Sequence, residues 1–170
     1  MTRGERNHNP LNIRRSDRTR WLGQARQQTD REFVQFQCDL FGFRAAFRIM
    51  RTYIRLHQLN TLRLIIYRWA PPEDGNNTES YLSIVSERAK VHPSTPLAFE
   101  DESAIIAIVC AMAWVESRMR VIDIELVRHA YLLAKETPFI HFKPLPHSTS
   151  CTFISHAIIS RRSLRKARSM

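Results

Sequence analysis

Apolar positions in the central part of the chain recur with the spacing of an α-helix. Phe43, Phe47, Met50 and Ile54 share one face of an amphipathic helix that this spacing predicts over residues 42–57. Another face carries a row of arginines: Arg44, Arg48, Arg51 and Arg55. We expect this row either to face solvent or to contact an acidic partner.

Two shorter helices are predicted next. One begins at Asn60-Thr61 and ends at Pro71-Pro72, because proline cannot continue a helix. A polar turn then leads to a helix that Asn77 or Thr78 caps and whose Tyr81 faces inward.

The strongest helical signal is a long apolar segment predicted to be helical over residues 98–119. Acidic residues 100–102 suit the positive end of its helix dipole, and the run from Ala104 to Val115 is apolar on every side. This helix should therefore be the most buried element. Asp123 is predicted to cap a further helix over residues 124–135.

These elements predict a mostly α-helical protein with one compact domain over residues 1–140. Glycine is scarce, with only 4 in 170 residues, which also favours helix. Residues 141–170 are predicted to form a C-terminal loop, a short apolar helix at 153–159 and a basic tail.

The charge balance is strongly basic, with 26 Lys and Arg against 16 Asp and Glu and a net charge of +10. Such a surface attracts polyanions, including nucleic acid, anionic lipid and the bacterial cell wall. Nucleic acid is not favoured, since no nucleic-acid-binding motif is visible. The longest apolar run is shorter than the roughly 20 residues that span a bilayer. With no signal peptide visible, we expect synthesis in the cytoplasm and, for an enzyme, action at the cell wall or in a virion.

The N-terminal segment carries three asparagines around Pro10, followed by Trp21-Leu22-Gly23. Asparagine bonds local backbone and tolerates left-handed turns, so Asn7, Asn9 and Asn12 predict an ordered polar loop. Loops rich in amides and tryptophan commonly bind sugars. A capped, basic coil is the alternative.

Glu116 is the first candidate for acid–base chemistry. It ends the apolar helix, where burial and the helix dipole should raise its pKa and let it protonate a leaving oxygen. A surface glutamate paired with Arg118 or Arg120 is the alternative. Glu73 and Asp74 are the next candidates, although acids in such turns often serve the turn alone.

No metal or cofactor site is predicted. The histidines are scattered, without the spacing of metal ligands, and no glycine-rich phosphate loop is visible.

Taken together, these segments resemble a family of phage- and prophage-associated proteins with a lysozyme-like fold. The family pattern R-G-x-R-N-N-N-P-x-N-I-R is matched here over residues 3–14, with His8 in place of the usual asparagine and Leu11 in place of a frequent glycine. The other matching residues are Trp21, Gly23, Phe33, Phe36, Gly42, Arg44, Ala45, Tyr53, Asn60, Thr61, Ile65, Ile66, Arg68, Trp69, Ala70, Pro71, Asn77, Thr78 and Tyr81. The match ends near residue 85, half of the chain.

The resemblance implies cleavage of peptidoglycan glycan strands, as in lysozymes and lytic transglycosylases. Residues 111–118, A-M-A-W-V-E-S-R, are similar to the A-x-x-x-E-S stretch that carries the catalytic glutamate in those enzymes. The asparagine-rich segment comes before this helix rather than after it, which suggests a circularly permuted arrangement.

The catalytic candidates are then Glu116 and Glu73. The predicted sugar-binding residues are Asn7, Asn9, Asn12, Trp21, Trp69, Asn77 and Tyr81. The implied partners are peptidoglycan and, for export, other virion or secretion-machine proteins. The alternative function is a non-catalytic phage structural or wall-binding protein with the same fold.

Overall fold

The computed structural model describes residues 1–136, which are mostly α-helical, and this confirms the predicted fold class. The α-helices of this part are α1 (Arg3–Arg6), α2 (Asp39–Leu56), α3 (Leu62–Trp69), α4 (Thr78–Ala89), α5 (Glu102–Ser117) and α6 (Ile124–Glu136). A 3-10 helix, Pro72–Asp74, connects α3 to α4. The predicted helix at 153–159, the basic tail and the domain boundary at residue 140 lie outside the described residues.

Helix α5 runs through the middle of the domain. Ile105, Ile108 and Met112 are 0% exposed, so the sequence's most apolar segment is also deeply buried. Asp101 caps its first turn by accepting a hydrogen bond from the Ala104 amide. α4 packs against α5, while α2 packs against α6.

An aromatic cluster joins α2 and α6. The rings of Phe47 and Tyr131 meet edge to face with their centroids 5.5 Å apart, and Phe99 lies 5.2 Å from Tyr131. The Tyr131 hydroxyl donates to the carbonyl oxygen of Phe99 at 2.8 Å. Tyr131 therefore satisfies its one polar group while its ring is fully buried.

The N-terminal segment before α2 folds back onto this core. Within this segment, isolated antiparallel bridges pair Arg14 with Phe33 and Gln24 with Phe36. The carboxamide of Asn9 is completely buried and bonds backbone groups of Ile13 and of Val34. One asparagine thus replaces the hydrogen bonds that a sheet would otherwise supply.

The arginine row of α2 is not a solvated face. Arg44 is buried, and burial lowers its pKa to about 10. Arg48 and Arg51 each donate to the carbonyl oxygen of Ala134 in the last turn of α6, at 3.3 and 3.4 Å. Arg55 pairs with Glu100. Arg48 and Arg51 therefore lie against the negative end of α6, which helical spacing within α2 alone could not reveal.

No helix among residues 1–136 is both long and apolar enough to cross a membrane.

Candidate functional site

Glu116 lies in the last turn of α5, at the point where this buried helix reaches a cleft. The cleft has a volume of about 370 Å³. Its aromatic lining consists of Trp21, Phe33, Tyr53 and Trp69, and its polar lining of Asn12, Arg14, Asp74, Asn76 and Glu116.

Three side chains from three parts of the chain donate hydrogen bonds to the Glu116 carboxylate. Oε1 accepts from Trp69 Nε1 on α3 and from the Tyr81 hydroxyl on α4, both at 3.0 Å. Oε2 accepts from Asn12 Nδ2 at 3.2 Å, and the same amide donates to the Glu116 backbone carbonyl at 3.0 Å. The carboxylate is thereby fixed in orientation at the junction of α3, α4, α5 and the N-terminal loop.

Burial is the largest influence on the pKa of Glu116 and raises it above the ordinary value for glutamate. The hydrogen bonds from Asn12, Tyr81 and Trp69 act in the opposite sense, as does the positive charge of Arg14. The net shift is upward, so desolvation outweighs the donors. Arg118 and Arg120 are exposed, and Arg118 lies over the ring of Trp114, 4.9 Å from its centroid, instead of pairing with Glu116.

Ser117 holds the N-terminal loop against the end of α5. Its hydroxyl donates to the carbonyl oxygen of Pro10 at 2.8 Å. Gly4 lies so close that a Cβ atom there would be 1.9 Å from Ser117 Oγ. Asn12 adopts a positive φ of 47°, which asparagine tolerates better than most residues. Together these features bring the Asn12 carboxamide to Glu116.

Asn7 and Asn9, predicted as sugar-binding residues, lie outside the cleft and are buried. Asn7 donates to Asp30 at 2.7 Å and accepts from Gln35 at 3.1 Å. Asn9 uses its carboxamide on the backbone of the loop, as described above. Both residues shape the loop that carries Asn12.

The polar turn before α4 carries the other candidate residues, and only some residues of this turn line the cleft. Asn77 caps α4 by accepting from the Ser80 amide at 3.1 Å, and Glu73 is exposed and is not part of the cleft wall. Their neighbours Asp74 and Asn76 do line the cleft. A sequence pattern could find this acidic turn, but it could not tell which of the two exposed carboxylates lines the cleft.

Sequence reasoning did not select Arg14, Tyr53 or Asn76 as site residues, although all three line the cleft. Arg14 and Tyr53 had a signal, since both occupy positions of the family pattern. Tyr53 packs edge to face against Trp69, with centroids 6.4 Å apart. It therefore supports the tryptophan that bonds Glu116.

Within residues 1–136, no group of three or more His, Cys, Asp or Glu side chains is arranged to hold a metal ion. The chemistry that the described cleft offers is that of a partly buried carboxyl group, a second carboxylate at Asp74 and an aromatic surface. These features define a helical protein with an acidic side chain held at the wall of an aromatic cleft.

A comparison with known proteins gives the family. The chain is 36% identical over 112 residues to Protein P5 of Pseudoalteromonas phage PM2, covering 65% of this chain and 69% of that protein. The chain belongs to the family of this phage protein. No protein-family model matches it.

Proposed function

We propose that this protein cleaves the glycan strands of peptidoglycan and that Glu116 is its general acid and base. The proposal takes the domain as lysozyme-like, with a circularly permuted order in which the N-terminal loop precedes the helix that carries the acid. The observation that carries it is the position of Glu116 at the cleft wall, with a carboxyl group whose pKa burial raises. A carboxyl group that keeps its proton closer to neutral pH can protonate a glycosidic oxygen.

The partners of Glu116 suit both protonation states. A tyrosine hydroxyl can donate a hydrogen bond or accept one, whereas tryptophan Nε1 only donates. When Glu116 is ionised, Tyr81 and Trp69 both donate to Oε1. When Glu116 is protonated, Tyr81 can rotate its hydroxyl hydrogen and accept. Tyr81 is then a positioning residue, because it is buried behind the carboxyl group.

Direct contact with sugar rings is assigned to the residues that line the cleft. Trp21 and Trp69 offer aromatic surface, on which sugar rings stack, and Asn12 and Asn76 offer amide groups. An indirect role is assigned to Asn7, Asn9 and Asn77, whose side chains bond protein groups. Peptidoglycan is chosen over a neutral glycan because the protein's net charge of +10 favours a polyanion.

Asp74 is the better candidate for a second carboxylate. Both residues are exposed, but Asp74 lines the same cleft as Glu116 and Glu73 does not. A second carboxylate orients water or stabilises the oxocarbenium-like transition state of glycoside cleavage.

The test is digestion of purified peptidoglycan by the parent protein and by Glu116→Gln, with released fragments separated by chromatography. We expect the parent to release soluble fragments and Glu116→Gln to be slower by about 100-fold or more. Glu73→Gln is the matched control, since it neutralises a glutamate outside the cleft. Absence of soluble fragments with the folded parent would contradict the proposal.

A non-catalytic phage structural or wall-binding protein is the second candidate. It is favoured by the three donors on Glu116, because such donors stabilise an ionised carboxylate and also tie four parts of the fold together. On this alternative the parent binds peptidoglycan without releasing fragments, and Glu116→Gln binds equally well.

A further inference from the structure

We propose that the loop of residues 14–20 is a basic lip of the cleft that recognises carboxylate groups carried by the glycan substrate. This inference rests on the proposed function, because it names the part of peptidoglycan that the protein would recognise. The carboxylates in question are those of the peptides attached to the glycan strand.

Both ends of this loop reach the cleft. Arg14 and Trp21 line the cleft wall, and the chain between them reads R-S-D-R-T-R. The loop therefore leaves the cleft at Arg14 and returns to it at Trp21, and on this inference the exposed residues between them border its mouth. All four arginines of the loop are exposed, and Asp17 is its sole acid.

Most of the positive charge of the lip is not neutralised within the described part of the chain. Arg18 and Arg20 have no side-chain hydrogen bond or ion pair with residues 1–136. Arg15 donates to the backbone carbonyl of Asp30 at 2.9 Å, which leaves its charge uncompensated. Arg3 is different, since Asp30 and Glu32 both pair with it at 2.7 Å.

The guanidinium groups of the lip suit carboxylates in particular. Arginine presents a planar fork of N–H donors that binds both oxygens of a carboxylate. Arg14 also lies over the ring of Phe33, 5.6 Å from its centroid, which restrains the guanidinium at the edge of the cleft.

Burial also differs among the charged groups that border the cleft. Glu116 is partly buried in the cleft wall, whereas Arg14, which lines the same wall, and the other arginines of the loop are exposed. The exposed arginines attract anionic groups from solvent. An anionic glycan would therefore bind with its neutral sugar rings inside and its charged peptides at the lip, which fixes which face of the strand meets Glu116.

The experiment measures binding to insoluble peptidoglycan by co-sedimentation, in a Glu116→Gln background that prevents digestion. Two forms of peptidoglycan, both stripped of attached anionic polymers, are compared. One is native, and the other has its carboxyl groups converted to amides with ethanolamine and a carbodiimide. Arg18→Gln/Arg20→Gln is compared with Arg26→Gln/Arg31→Gln, which removes the same charge from exposed arginines outside the cleft wall.

We expect the lip double variant to bind native peptidoglycan about fivefold more weakly than the control at about 50 mM salt. The difference should disappear on the amidated form and at about 500 mM salt. The inference would be overturned if the two double variants bound native peptidoglycan equally well. It would also be overturned if the Glu116→Gln protein with Arg18 and Arg20 intact bound native and amidated peptidoglycan equally well. Binding is scored without cleavage, so an inactive parent would contradict the proposed function without affecting this result.

Discussion

The substitution Glu116→Gln distinguishes a catalytic role of this carboxyl group from a purely structural one. Glutamine has the same size as glutamate, and its Oε1 can still accept from Trp69 and Tyr81. Its amide nitrogen would face the amide nitrogen of Asn12, so this hydrogen bond is lost, while Asn12 still donates to the backbone carbonyl of residue 116.

The expected effect of Glu116→Gln on stability is small. Neutralising the acceptor weakens the hydrogen bonds from Trp69 and Tyr81 by roughly 1 kcal/mol each, the difference between charged and neutral bonds, and removes the one from Asn12 to the side chain. The variant also loses the desolvation penalty of the ionised carboxylate. That penalty exceeds the combined effect of the donors and Arg14, because the pKa of Glu116 is raised overall. We therefore expect a change in unfolding free energy within about 1 kcal/mol, or roughly 2–4 °C in Tm for a chain of this size.

Glu116→Ala gives the contrasting case. It leaves Trp69 Nε1 and the Tyr81 hydroxyl without their acceptor, while Asn12 keeps its bond to the backbone carbonyl of residue 116. The cost is about 1–3 kcal/mol for each buried donor before water in the cleft offsets part of the loss. We expect a destabilisation of roughly 2 kcal/mol or more, measured by thermal unfolding beside the Gln variant.

Activity and stability together decide the role of Glu116. A Gln variant that melts like the parent but loses about 100-fold or more in peptidoglycan digestion supports a general acid. Two results would refute the reasoning. One is a Gln variant as unstable as the Ala variant, which would mean that the ionised carboxylate stabilises the fold. The other is a folded Gln variant with undiminished digestion.

Three further predictions concern the turn before α4, the N-terminal loop and the pH dependence of the protein's stability. Asp74→Asn should lower peptidoglycan digestion by about 100-fold while Glu73→Gln leaves it unchanged, since only Asp74 lines the cleft; equal effects in a fragment-release assay would contradict this. Gly4→Ala should destabilise by about 1–3 kcal/mol in denaturant unfolding, because its Cβ would overlap Ser117 Oγ, and an unchanged midpoint would contradict this. Hydrogen bonds, above all from Arg3, hold the pKa of Asp30 well below its usual range. Its stabilisation should therefore be present above about pH 4 and be lost as the pH falls further, so Asp30→Asn should flatten this part of a Tm–pH profile.

Much of the helical framework could be predicted from local sequence signals. The apolar run from Ala104 to Val115 identified α5 because a segment that is hydrophobic on all sides must be buried. Pro71 marked the end of α3, and Asn77 marked the start of α4. In each case the signal and the structure it produces lie within one or two helical turns.

Features that depend on contacts between distant segments could not be predicted in this way. The arginines of α2 form a regular helical row, but only the packing of α6 shows that Arg48 and Arg51 meet the Ala134 carbonyl. Likewise, Asp74 and Glu73 are adjacent in sequence, and the turn geometry alone brings one of them to the cleft. The family pattern marked Arg14 without indicating what it does.

The end of α5 and the N-terminal loop depend on each other for a physical reason. Ser117 bonds the loop at Pro10, while the neighbouring Glu116 receives Asn12 from the same loop. Asn7 and Asn9 do not reach the cleft, but their hydrogen bonds set the position of Asn12, which does. Removing the loop would expose the Glu116 carboxylate to water and take away a donor at the same time. Because burial is the larger influence, the pKa of Glu116 should then fall back toward its ordinary value, so under the proposed function the loop supports the role of Glu116 as general acid.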